Sequence, residues 1–309
     1  MHFLKFGLVA MSGLYIYATG AAATTAQQQQ DALIKTTLVD DIGASERVEA
    51  AGLLRVLSQE VASAACHMAA GIDPDQSQKL LIETKTRFTE ILDALQYGNP
   101  RMNIIGAEER RKTVVKIENL RTQWLPVKAA AVSLLDRGDD AEALNLIKAE
   151  NEAILASTFD LTSELAGQYS NPAELLQSDV MLLDFAGRQA LLTQKMAKIA
   201  CQIWSGNRGE DRLALLSSTM QTYDLTLTAL HDGMPAVGLL AAPTPEIGAA
   251  LTKARSDWSV IKGKLDALIA AETFEDERKA ELYSFLNIAM YDMEKIEKLY
   301  VTHSKHDYN

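Results

Sequence analysis

Two cysteines, four cations and two glutamines are the residues of this chain whose types and spacing could do chemistry. Cys66 lies near the end of "AGLLRVLSQEVASAACHMAAG" and Cys201 near the end of "AGRQALLTQKMAKIACQIWSG". On a helix with Gly52 as origin, Arg55, Gln59, Ala62 and Cys66 fall on one stripe about 80 degrees wide. Gly187, Ala190, Gln194, Ala197 and Cys201 repeat that stripe; Lys198 shares it, and Arg188 and Lys195 lie toward its edge or in solvent. A guanidinium keeps its proton, so Arg55 on a close-packed seam calls for an anionic partner or must snorkel to water. A glycine inside a helix costs roughly 1 kcal/mol against alanine, and two at matching places imply close backbone approach. The bland alternative is a tight helix–helix seam that binds nothing.

No catalytic set accompanies these residues. There is no glycine-rich phosphate loop, no H-E-x-x-H and no G-x-S-x-G. His67 follows Cys66, and neighbours on a helix point about 100 degrees apart, which argues against a Cys–His dyad. His303 and His306 have helical metal-ligand spacing, but in the polar stretch "THSKHDYN" they read as a solvated end. The sequence therefore predicts no enzyme, no metal site and no cofactor.

The elements that must position the stripe are helices. Leu, Ala, Glu, Gln, Lys and Met dominate and there are seven prolines. Breaks at "IDPDQSQ", "YGNPRMNIIG", "DRGDD", "QYSNPAE", "SGNRGEDR", "LAAPTPEIG" and "ETFEDE" divide the chain into helices near 32–71, 75–97, 107–136, 139–168, 172–205, 210–231, 245–271 and 276–302.

The two halves correspond. Cys66 and Cys201 are 135 residues apart, as are Gly52 and Gly187, Gln59 and Gln194, Phe88 and Tyr223, and Gly98 and Gly233. Trp124 and Trp258, and Asn151 and Asn287, keep this offset within one residue. The chain is an internal duplication of a four-helix unit. The expected fold is all-α: two tandem four-helix bundles packed as a pseudo-symmetric dimer through their first helices. Equivalent residues near a two-fold axis approach one another, so Cys66 and Cys201 are expected to form a disulfide; two buried thiols are the alternative.

The apolar fraction is 48%, the charged fraction 23% and the formal charge −11. That composition fits a folded protein and gives no general affinity for nucleic acid. Lys5, the apolar run 6–18 and the small residues 19–26 fit a secretory signal peptide, with a retained anchor or a cytoplasmic start as alternatives. No later run is long and apolar enough to span a membrane. The expected organisation is a signal peptide (1–23), a flexible leader (24–38), helical units at 39–170 and 171–302, and a polar tail (303–309), with a periplasmic location.

"AGLLRVLSQEVA" and "AGRQALLTQKMAK" resemble the first-helix signature A-G-R-Q-R-M-L-S-Q-R-M-A-K of the periplasmic domain of type IV pilus methyl-accepting chemotaxis transducers, which is related to the sensor domain of nitrate/nitrite sensor histidine kinases. The resemblance implies a sensor fold, a membrane receptor or envelope partner, and a small anion (nitrate, nitrite or a carboxylate) held at the seam. In the nitrate sensors, the arginine of a Gly-x-x-Arg pattern from each subunit grips the anion. Carried over, Arg55 fills that place in copy one and Ala190 in copy two, while Arg188 matches an earlier arginine that Leu53 replaces in copy one. Gly52, Arg55, Gln59, Gly187, Arg188, Gln194 and Lys198 are thus the candidate ligand-binding residues. An envelope interaction or scaffold module without a small ligand is the alternative.

Overall fold

The computed structural model describes residues 43–169, 177–271 and 274–306. The expected signal peptide, the leader and the start of the first helix before residue 43 lie outside these, as do 170–176 of the central break and 307–309. Eight α-helices occur among the described residues: α1 Ala44–Ala69, α2 Pro74–Tyr97, α3 Arg111–Arg137, α4 Ala141–Tyr169, α5 Gln177–Trp204, α6 Glu210–Asp232, α7 Pro245–Ala270 and α8 Asp276–His306. Helix starts follow capping chemistry. Thr244 accepts a hydrogen bond from the Ile247 N–H at 3.2 Å with Pro245 next in line, and Asp140 accepts one from Ala143 N–H at 3.0 Å. The last helix runs on to His306 rather than stopping near 302.

In the first half α1 packs on α2 and α4, and α3 packs between α2 and α4; in the second, α5, α6, α7 and α8 make the same set of contacts. The halves meet chiefly through α1 against α5. Short connections make successive helices antiparallel. The equivalent aromatic positions form equivalent cores: Phe88 stacks on Trp124 at 4.0 Å and Tyr223 lies on Trp258 at 4.4 Å. Each buried indole N–H is satisfied by the residue after the aromatic partner, Thr89 at 3.1 Å and Asp224 at 2.9 Å. Gly98 and Gly233 end α2 and α6 at φ 84° and 81°, where a Cβ would stand 2.6 Å and 2.8 Å from backbone of the following loop.

Among the described residues no helix is long and apolar enough to cross a membrane.

Candidate inter-repeat site

Almost the whole length of α1 is buried, and the predicted stripe faces inward: Arg55 is 3% exposed and Gln59 is fully buried. On α5, Gln194 and Cys201 are fully buried and Lys198 is 5% exposed, whereas Arg188 is exposed. The seam holds two polar layers and a covalent one, in that order from the start of α1 toward its end.

The first layer is built on the two glycines. A Cβ on Gly187 would stand 2.8 Å from Glu297 Oε1 and 3.4 Å from Arg55 Nη2; one on Gly52 would stand 3.2 Å from Arg55 Nη2 and 3.9 Å from Glu297 Oε1. The missing side chains leave the room that an arginine and a glutamate fill. Arg55 Nη1 donates to Asp184 Oδ1 at 2.7 Å and its Nε to the Gly52 carbonyl at 3.3 Å. Arg188 Nε reaches the other oxygen, Asp184 Oδ2, at 2.8 Å. Both guanidiniums lie over the Phe159 ring, at 5.2 Å and 5.8 Å. The two arginines, one from each motif helix, therefore converge on one carboxylate of the chain itself.

The second layer is a pair of duplicated amides. Gln59 Nε2 donates to Asn151 Oδ1 at 3.2 Å and Gln194 Nε2 to Asn287 Oδ1 at 2.9 Å. Lys198 joins this layer, donating to Asn151 Oδ1 at 2.7 Å and to Glu152 Oε1 at 2.6 Å. Burial pushes the Lys198 ammonium below its ordinary pKa and Glu152 pulls it back up. Lys198 and Arg55 thus serve different carboxylates and do not frame one anion, as their offset along the helix axis requires. Removing Asn287 would leave the Gln194 amide buried without its acceptor. Asn287→Ala is expected to lower the unfolding free energy by about 2 kcal/mol in urea titrations; a change near zero would show that the amide pair is not engaged.

The third layer is covalent. Cys66 and Cys201 form a disulfide with Cα atoms 6.2 Å apart. The adjoining His67 is fully buried, stacked on Tyr283 at 3.5 Å and edge-on to Trp204 at 5.4 Å. Its Nδ1 bonds the Ser63 carbonyl at 2.7 Å. Burial lowers its pKa to about 3, opposed by that hydrogen bond, so it is a neutral packing residue.

Asp184, Glu297 and Glu152 are absent from the residues singled out by sequence. A signal for Asp184 exists, because Glu49 stands 135 residues before it and gives both copies an acid at that place. Glu297 has no such signal: its counterpart in copy one is the buried Leu161.

The description "type IV pili methyl-accepting chemotaxis transducer N-terminal domain" (PilJ) matches two segments of the chain, residues 41–149 and 176–281. The chain belongs to this family. Two matched segments fit a tandem PilJ duplication, one per four-helix bundle. Comparison with curated proteins returned no match.

Proposed function

We propose that this PilJ protein is an exported sensor-type module that works through a membrane or envelope partner, and that its inter-repeat clamp is filled by its own Asp184 carboxylate instead of a free anion. We read the chain as a fused dimer in which each copy keeps a different arginine of the ancestral pattern. The observation that carries the proposal is the bridging of Asp184 by Arg55 and Arg188, one oxygen each. A carboxylate so placed has the charge and the paired oxygens of the nitrate, nitrite or carboxylate that the resemblance suggests. Filled from within, the clamp ties the two repeats together and frees the module from a small ligand. Export is supported by the seam disulfide, which belongs to an oxidising compartment.

A second reading keeps the ligand. The Asp184 side chain is 33% exposed and that of Arg188 51%, so an anion arriving from solvent could displace Asp184 and be held by Gly52, Arg55, Gly187 and Arg188. In this reading Gln59, Gln194 and Lys198 stay engaged in the layer beneath. Melting curves with nitrate, nitrite, sulfate, phosphate and acetate at constant ionic strength separate the two. Under the self-filled reading none of these raises the melting temperature of the wild type more than that of Arg55→Ala, since sulfate and phosphate stabilise both by exclusion from the surface. A ligand at 100 times its Kd would add about 2.7 kcal/mol of stability. A rise that disappears in Arg55→Ala would overturn the self-filled clamp and establish the ligand.

A further inference from the structure

Two buried carboxyl groups stand where α1 faces α8. Glu60 is 3% exposed and Glu297 9%. Glu294 lies one helical turn from Glu297 on α8 and faces both. The groups facing Glu297 are Glu49 and Arg55 of α1, Asp184 of α5 and Glu294 of its own helix. Arg55 is already bonded to Asp184 and to the Gly52 carbonyl. From α4 the nearby contribution to this layer is the Phe159 ring beneath the two arginines. The pairs that join α8 to α7, Lys253 with Asp292 and Lys264 with Glu281, are separate from it. Facing Glu60 are Thr84, Glu83 and Arg87 of α2 and Glu294 of α8, with Tyr283 and Tyr291 of α8 also in its field. Arg87 pairs with Glu294 at 3.6 Å.

The buried Glu60 carboxyl meets the Thr84 hydroxyl. Thr84 Oγ1 lies 2.7 Å from the Leu80 carbonyl and 2.7 Å from Glu60 Oε2. A hydroxyl has one proton, and a backbone carbonyl can only accept. That one proton cannot serve both acceptors fully, so the buried Glu60 carboxyl receives from Thr84 a donor that it shares with the Leu80 carbonyl. At Glu297 the bare glycine faces admit a carboxyl group between α1 and α5, where an ionised group would have shed its water against several like charges.

We propose that the seam is a proton-operated latch: Glu60 and Glu297 hold protons when the repeats are closed on each other, and their ionisation loosens the glycine end of the seam while the disulfide holds the other end. The ligand to which the module responds is then the proton. Gly52 and Cys66 are fourteen residues apart on α1, about 21 Å along the axis, so the movement is a splay about a fixed point. Burial raises Glu60 to about 7, a shift that Thr84 opposes and Glu294 reinforces. Burial first, then Glu49, raises Glu297 to about 8.

A carboxyl raised in the folded state contributes stability that is present below its ordinary range and lost as pH rises through the folded value. The loss should therefore extend to about pH 8. His67 acts oppositely, being neutral in the fold at a pKa of about 3, and it removes stability as pH falls below its ordinary 6.5. The informative window is therefore about pH 6.5 to about pH 8.5.

The test is amide hydrogen exchange, corrected for the intrinsic pH dependence, together with melting temperature across that window. In the wild type, protection of residues 44–58 and 184–192 should fall and the melting temperature should drop by on the order of 5 °C. Protection near Cys66 and Cys201 should hold. Glu297→Gln should largely abolish both responses, and Glu60→Gln should reduce them. Glu297→Leu, which installs the residue found at the equivalent Leu161, serves if the amide variant folds poorly. A pH response unchanged in these variants, or no response in the wild type, overturns the latch. Because anion composition is held fixed, that outcome is separate from the status of the Asp184 clamp.

Discussion

Replacing Cys66 and Cys201 together by serine is expected to lower the unfolding free energy by about 4–5 kcal/mol in urea titrations. The bond closes a 135-residue separation that links one repeat to the other, so breaking it releases nearly the whole first repeat in the unfolded chain. The sulfurs lie at a buried seam, with Cys66 3% exposed and Cys201 fully buried. Serine would place hydroxyls there, and any left unpaired adds to the loss. A cost near zero would mean that α1–α5 packing holds the repeats with no help from the bond.

Asp184→Ala is the second large effect. Arg55 would remain buried against Phe159, still donating to the Gly52 carbonyl, and removing one partner of a buried ion pair costs about 3–5 kcal/mol. The Asp184 side chain is 33% exposed, so water can enter and the lower end of that range is expected. Adding Arg55→Met should recover most of the loss, because the second change removes the stranded charge. Additive losses in the double variant would show that the two side chains act independently.

Much of this fold was legible in the sequence because duplication doubles each signal. Phe88 with Tyr223, Trp124 with Trp258 and Asn151 with Asn287 mark equivalent core positions, and the structure pairs them within each bundle as Phe88–Trp124 and Tyr223–Trp258. The same comparison places Gln59 and Gln194 beside Asn151 and Asn287. The cysteine pairing was legible because both residues lie on the stripe that each first helix presents to the other. Asp184 lies three residues before Gly187, about 60 degrees around the helix and outside the stripe that runs from the glycines to the cysteines. Glu297 and Glu152 lie on α8 and α4, and no helical periodicity within α1 or α5 says which side chain of another helix will reach the seam. Glu297 further breaks the internal symmetry, which hides it from any comparison of the halves.

The self-filled clamp also accounts for the unequal arginines. Arg55 lies inside the seam and Arg188 at its mouth, and one carboxylate with two oxygens meets both. The Arg55–Asp184 bond crosses from α1 to α5 and restrains the repeats against sliding, whereas the Arg188–Asp184 contact lies within α5 and moves with it.

The most direct test of that account is calorimetric titration of nitrate and acetate into wild type, Asp184→Ala and Asp184→Ala/Arg55→Met. A self-filled clamp gives no binding heat in the wild type, measurable binding in Asp184→Ala, whose emptied clamp accepts an external anion, and loss of that binding when Arg55 is also replaced. Arg55-dependent binding of nitrate or acetate to the wild type, or none to Asp184→Ala, would contradict it.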